Sequence, residues 1–220
     1  MITCDKPYSQ DELDLYHRVE PYTMVNGRGT IFTHRVVRYI DENRIPGDIV
    51  ECGVYRGGQI MCAALTCRQP RHFWLYDTFT GMSDPGPHDI RKGHHATELT
   101  KWRKHTVNHN WCRADIDVVE ENVSSVLARD RFTLVQGDVS ETLRVGPWPD
   151  QIAFLRLDTD WYESTRAELE VLYPRVSAGG MVVFDDYHSW DGARKAVDEY
   201  FAKLGIEISK EGVASVRKPL

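Results

Sequence analysis

The sequence predicts an α/β fold: a doubly wound, mostly parallel sheet of the Rossmann-like kind, with a lid inserted between its elements. Three observations carry that expectation. Short apolar runs alternate along the chain with amphipathic stretches of helical period, the pattern of a parallel sheet covered on both faces. The first run, Asp48-Ile49-Val50-Glu51-Cys52, passes through Gly53-Val54-Tyr55-Arg56-Gly57-Gly58 straight into a helical stretch. Two later runs end in carboxylates, Asp158-Thr159-Asp160 and Asp185-Asp186. In an open α/β sheet, ligands bind outside the carboxyl ends of the strands, which is where these acids fall.

Residues 1–30 are polar and poorly periodic, and read as an arm with one short helix over 12–19. Phe32, Val36, Val37 and Ile40 predict a helix over 31–44, stopped by Ile45-Pro46-Gly47. The first strand then leads through the glycine turn to a helix over 59–66. A strand, a glycine turn and a helix form the phosphate- or nucleoside-binding opening of a Rossmann-like sheet. The spacing is not that of a dinucleotide site. Tyr55 and Arg56 stand where the dinucleotide fingerprint needs its close-approach glycine, so a pyrophosphate would be hindered. A nucleoside ligand without pyrophosphate suits the turn better, S-adenosylmethionine being the common example; a purely structural turn is the alternative. Glu51, Gly53, Tyr55 and Gly57 are its candidate cofactor residues.

The second strand, 72–76, ends at Asp77-Thr78. An acid at this position can accept two hydrogen bonds from a ribose diol, or can simply hold a turn. Residues 80–113 then lose all periodicity. They carry prolines, glycines and five of the nine histidines (His88, His94, His95, His105, His109). A long irregular insertion of this kind reads as a lid over the site. The histidines lack a compact zinc framework, although His105 and His109 have i, i+4 spacing. An amphipathic helix is expected over 114–128, and a third strand over 131–135 ending at Gln136-Gly137-Asp138. Gly137 and Asp138 are candidate adenosine contacts. The fourth strand, 152–158, precedes a helix over 162–176, at whose start Asp160 and Glu163 have the spacing of a capping pair. Residues 177–180 make a tight turn into the fifth strand. A helix over 191–204 and an edge hairpin formed by 206–208 and 213–216 finish a single domain spanning 1–220.

Composition narrows the function. The net charge of −6, with both signs interspersed, presents no basic stripe and argues against nucleic acid. Five cysteines, odd in number and without CxxC spacing, argue for reduced thiols. No apolar run reaches membrane-spanning length, and the N-terminus has no signal pattern. A cytoplasmic protein without a membrane partner is expected.

Several segments, in order, resemble the macrocin O-methyltransferase family. They are Pro46 to Gly58, Tyr76-Asp77-Thr78-Phe79-Thr80-Gly81-Met82, Gly137 to Leu143, Leu155 to Thr165, Leu172-Tyr173-Pro174 and Gly179 to Tyr187. Together they span about residues 45–205. The resemblance implies a class I S-adenosylmethionine-dependent methyltransferase acting on sugar hydroxyls of antibiotics. It also implies Mg²⁺ held by Asp158, Asp185 and Asp186, with Asp158 or Asp160 as general base. Asp160 is the freer candidate, because a metal-bound carboxylate accepts a proton less readily. The implied partners are a small-molecule acceptor, a glycosylated natural product, and further copies of the chain in a homodimer or larger homo-oligomer. The chain departs from the family in its short N-terminal arm and in Trp161, where leucine is common, so a non-sugar hydroxyl stays open as the target. Two other readings stand beside this one. A metal-dependent hydroxylase or oxidoreductase on the same fold would want mixed histidine and carboxylate ligands. A non-catalytic nucleoside-binding module would use the aspartates only as caps and turns.

Overall fold

Buried apolar runs and their helices assemble into a six-stranded sheet in the order β5-β2-β1-β6-β7-β8. The strands are β1 (Asp48–Cys52), β2 (Phe73–Asp77), β5 (Phe132–Gln136), β6 (Ile152–Leu157), β7 (Val176–Phe184) and β8 (Ala214–Arg217). All pair in parallel except β8, which runs antiparallel to β7. A two-residue hairpin, β3 (Ile90–Arg91) with β4 (His94–His95), stands outside the sheet. The helices are α1 (Gln10–Val19), α2 (Gly27–Glu42), α3 (Gly58–Thr66), α4 (Ile116–Ser124), α5 (Val139–Val145), α6 (Tyr162–Leu172) and α7 (Asp191–Leu204). The structure, a computed structural model, describes residues 2, 7–99, 102, 104 and 111–220.

Alternate strand residues feed two cores. Ile49, Phe73, Leu75 and Phe154 pack with α2, α3 and α4 on one face. Val50, Tyr76, Leu155 and Val182 pack with α5, α6 and α7 on the other. Strand order reverses between β1 and β6, and a cleft opens at their carboxyl ends. No helix among the described residues is long and apolar enough to cross a membrane.

The elements differ from expectation where a side chain outside the local pattern decides. The arm is more ordered than its polarity suggested. Ser9 and Glu12 form a capping box at the start of α1. Arg35 then clamps Glu12 from α2 with bonds of 2.7 and 3.0 Å, holding that carboxyl at about 2. Helix α2 begins four residues early, because Asn26 caps it by accepting from Gly29 N at 3.1 Å. Helix α4 is shorter than the 114–128 span, and α6 gives way to a 3₁₀ turn over Tyr173–Arg175 around Pro174. Helix α5 was not expected; Asp138 caps it, accepting from Ser140 N at 2.8 Å. Residues 177–180 belong to β7 rather than to a turn, and of the edge hairpin only β8 is a strand. The Asp160–Glu163 capping pair does not form: Trp161 is the N-cap of α6 and offers no side-chain bond.

The orphan N–H of Tyr162 at that helix start is met instead from the lid. Asp89, fully buried, accepts from Tyr162 N at 2.8 Å and from Gly86 N at 2.6 Å. His95 Nε2 bonds Gly86 O at 2.8 Å from the other side of the loop. The hairpin above is closed by Lys92 and Gly93, both at positive φ (52° and 79°), as a two-residue primed turn demands. Part of the insertion is therefore a fastened hairpin rather than an irregular loop. His105 and His109 lie outside the described residues.

Gly192, in the first turn of α7, has no room for a side chain because the Asp89 carboxylate occupies that space. Gly192→Ala should displace Asp89 from Tyr162 N and cost about 1–3 kcal/mol, the price of an unmade buried hydrogen bond. Urea denaturation of the variant against the parent checks this. An unshifted midpoint would mean that Asp89 does not hold the lid.

Candidate functional site

The cleft holds a cavity of about 250 Å³ whose walls come from the ends of five strands. Glu51, Gly53 and Tyr55 follow from β1, Asp77 and Thr78 from β2, and Gly137 and Asp138 from β5. Asp158 and Asp160 follow β6, and Asp185 and Asp186 follow β7. Sheet topology thus brings together eleven of the twelve sequence-derived candidates. Gly57 is the exception. It takes a left-handed φ of 90° to start α3, and a Cβ there would meet Val123 of α4 at 2.8 Å.

At the nucleoside end, Asp77 braces the glycine turn. Its Oδ2 accepts from Val54 N (2.7 Å) and Tyr55 N (3.0 Å), and Oδ1 accepts from Phe79 N (2.8 Å). Thr78 Oγ1 lies 3.4 Å from Oδ1 as a fourth and longer contact, so the roughly four acceptor positions of the carboxylate all have a partner within the chain. Burial nonetheless raises its pKa, against the pull of those donors. Gly53, at φ 83°, lets the β1 turn pass directly against the Asp158 carbonyl, where a Cβ could not fit. Asp138 spends one oxygen on its helix cap, accepting from both Ser140 N and Ser140 Oγ.

At the other end, one oxygen from each of Asp158, Asp185 and Asp186 falls within 4.8 Å of the others. Beneath them lies Arg156, 1% exposed, next to the last residue of β6. Its Nη2 donates to Asp185 Oδ1 (2.5 Å) and Asp158 Oδ2 (2.9 Å), and its Nε donates to Glu51 Oε1 (3.1 Å). Glu51 is its cross-strand neighbour in β1. Burial works against the guanidinium charge, but Asp185, Asp158 and Glu51 outweigh it and raise its pKa. Burial also pushes Glu51 up to about 8, despite Arg156. One cation for so many acids leaves the cluster proton-hungry. Burial and the neighbouring Asp185 hold Asp158 well above the usual range, and burial with Asp160 does the same to Asp186.

Asp160 is placed by strained backbone. Its φ of 66° is left-handed, and its N–H donates to Asp186 Oδ2 at 3.0 Å. Burial lifts its carboxyl to about 7, opposed by hydrogen bonding with Asp186 and Trp190 and reinforced by repulsion from Asp158. Trp161 points away from the cavity. Its Nε1 donates to Ser83 O in the lid (2.9 Å), and its ring meets Trp190 edge-on at 4.8 Å.

The sequence reading missed Arg156, which lies beneath the cluster, and several residues that line the cavity. Arg156 sits inside an apolar run, and the cue was available: a charge flanked by Leu155 and Leu157 two residues before an acid. Thr23, Met24 and Val25 wall the cavity from the arm, beside Gln59. Gln59 donates to Thr30 (2.8 Å) and Thr23 (3.1 Å) and accepts from Thr33 (2.8 Å). Nothing local marks Thr23–Val25 as a wall. Arg91, Trp111 and Trp190 were equally unmarked.

Residues 12–214 match the family model described as macrocin O-methyltransferase. The chain is 34% identical over 206 residues to demethyldecarbamoylnovobiocin O-methyltransferase of Streptomyces niveus, covering 87% of this chain and 74% of that one. It is 36% identical over 168 residues to 8-demethyl-8-(2,3-dimethoxy-alpha-L-rhamnosyl)-tetracenomycin-C 4'-O-methyltransferase of Streptomyces olivaceus, covering 74% and 60% respectively. Among solved structures, the O-methyltransferase NovP superposes with a TM-score of 0.76 at 30% identity, over 90% of this chain and 83% of that one.

Glu168 of α6, fully buried behind Thr159, gives the site a pH signature. Thr159 Oγ1 donates to Glu168 Oε1 at 2.9 Å, Oε2 has no partner, and burial pushes the carboxyl from 4.5 to about 8. Between those values the folded chain keeps a proton that the unfolded chain releases, so stability falls as pH rises. Glu168→Gln removes this loss. Its unfolding midpoint relative to the parent should climb between about pH 5 and pH 8. A constant offset across that range would show that Glu168 does not titrate there.

Proposed function

Because the chain belongs to the macrocin O-methyltransferase family, and is an O-methyltransferase, we propose that its methyl donor is S-adenosylmethionine. We propose further that its target is a sugar hydroxyl of a secondary metabolite, and that Mg²⁺ assists. One observation carries the reading: a single cavity joins a nucleoside-type glycine turn to a convergent carboxylate cluster. The rhamnosyl 4'-O-methyltransferase similarity supports a sugar acceptor.

The donor set fits the metal. Asp158, Asp185 and Asp186 offer hard carboxylate oxygens close enough together for one small cation, and the cluster carries more acid than Arg156 neutralises. Among the described residues no histidine joins them, so the mixed ligand set of the hydroxylase reading is not met. When bound, Mg²⁺ supplies Lewis acidity that orients an acceptor diol and lowers the pKa of its hydroxyl.

The chain's own residues do the rest. The β1 turn and Asp77 seat the adenosine, so that the sulfonium methyl faces the acid end of the cavity. Asp160, aimed inward by its left-handed backbone, takes the hydroxyl proton. The oxygen lone pair attacks the methyl carbon in line, and the carbon–sulfur electrons leave on S-adenosylhomocysteine. Walls from the arm and lid exclude water from the sulfonium.

Asp186→Asn should lower kcat/KM for Mg²⁺-stimulated methyl transfer at least roughly 100-fold, as loss of a metal ligand does. Calorimetric affinity for S-adenosylmethionine should survive the change, with EDTA or with Mg²⁺. Asp158→Ala should behave alike. Near-normal turnover in either variant would place the chemistry elsewhere; no binding of S-adenosylmethionine by the folded parent would overturn the donor.

A further inference from the structure

The acceptor end of the cavity contains a cation that the reaction itself does not use. Arg91 is the sole Lys or Arg among the described residues that line the cavity, against Glu51, Asp77, Asp138 and the four acids after β6 and β7. Despite that excess of acid, Arg91 forms no ion pair with any described carboxylate. The cluster's counter-charge is Arg156, which meets Glu51, Asp158 and Asp185 from below. Arg91 instead lays its guanidinium over the Trp190 ring, 5.5 Å from the centroid.

This placement is built from rigid parts. Arg91 ends β3, and its partner His94 begins β4 across the Lys92-Gly93 turn. Asp89, two residues before it, is tied to the start of α6, and Trp190 is held by an edge contact with Trp161 and a tilted one with Trp111. A guanidinium stacked on an aromatic face keeps its planar N–H fork available at the edge, and that fork matches a carboxylate or phosphate bidentately. Lys92 follows at the exposed tip of the same hairpin. Within a chain of net charge −6, residues 80–113 hold six Lys/Arg (91, 92, 101, 103, 104, 113) and three Asp/Glu (84, 89, 98).

The geometry points to an acceptor that carries an anionic group away from its reacting hydroxyl, read by Arg91 of the lid hairpin at the rim of the tryptophan wall. The inference rests on the methyltransferase reading and adds the charge of its substrate. An acceptor neutral throughout would leave a half-buried guanidinium stacked for a partner that never arrives. Arg91 is the one cationic side chain among the described residues that line the cavity, and the acids gather at the strand ends. Two sources supply the chemistry: the diphosphate of a nucleotide-activated sugar, or a carboxylate on the aglycone or sugar.

The test loads the full chain with S-adenosylhomocysteine and Mg²⁺ and titrates three probes sharing one 6-deoxyhexose. They are its nucleoside diphosphate ester, a glycoside of a benzoic acid, and its neutral methyl glycoside. At least one charged probe should bind about tenfold or more tightly than the neutral one, a bidentate charge-assisted contact being worth at least that. Arg91→Gln should collapse the difference, and Arg91→Lys should restore it only in part. The diphosphate and carboxylate arms identify the source. The inference is overturned if the neutral glycoside binds as well as both charged ones. It is overturned equally if Arg91→Gln weakens all three alike, the result of a purely structural lid contact, or if no charged probe binds a protein that does bind S-adenosylhomocysteine. Failure to bind S-adenosylhomocysteine would instead strike the underlying methyltransferase reading.

Discussion

The buried guanidinium of Arg156 is the interaction on which the rest of the site depends. It lies in the central strand β6 and bonds acids on β1, at the end of β6 and after β7. The three strands that carry the catalytic end of the cavity are therefore tied together at one atom group, just below the level where they stop pairing. Desolvating an arginine and several carboxylates is costly, and their mutual attraction repays it only with good geometry. Removing one partner would leave the others buried and uncompensated. Nη1 of Arg156 and Oε2 of Glu51 already lack partners, which shows how little slack the network has. Arg156 also explains how the acids coexist. It neutralises part of their charge, and protons held at raised pKa neutralise more.

From that centre the cavity divides by chemistry. The nucleoside end is built from backbone: a glycine turn, two N–H groups held by Asp77, and an αL residue, Tyr55, at φ 50°. Side chains there serve mainly to fix the main chain. The acid end is built the other way, with β6 and β7 delivering carboxylate side chains just beyond their ends. Gln59 of α3 links Thr30 and Thr33 of α2 to Thr23 of the arm, and so draws the arm into the wall. The family resemblance and the physical reading meet at this division, because methyl transfer needs an adenosine seat and a proton acceptor a short distance apart.

Strand ends and their acids were legible in the sequence because burial on both faces writes itself as an unbroken apolar run. The helix over 191–204 was equally plain, with Ala193, Ala196, Val197 and Phe201 as a stripe closed by Gly205. Legibility failed where the deciding partner was distant. Gly27 and Gly29 look like loop residues until Asn26 caps them, and Gly29 also packs where a Cβ would strike Val25. Asp160 looks like a cap until Asp89, more than seventy residues away, takes over the start of α6. Arg156 was read through as part of an apolar run, although its neighbours should have flagged it. The resemblance supplied the candidate metal ligands; it did not supply the internal cation.

Asp160 shows what the tryptophans are for. A non-glycine residue in the left-handed region costs about 1–2 kcal/mol, and such strain persists only where the surroundings over-determine it. Here the restraints can be named: the Asp160 N–H bond to Asp186, the Trp161 N–H bond to Thr159 O at 2.7 Å, and the Trp161 indole bond to Ser83 O. Trp161 is next in the chain, 2% exposed, and wedged against Trp190. Leucine at that position could fill part of the volume but could not reach the lid with a donor. The large residue beside the proposed base is thus a strut, not an acceptor contact. It ties Ser83 of the insertion to the backbone that directs one carboxylate. Trp111 and Trp190 line the cavity instead, above the acids that the strand ends supply.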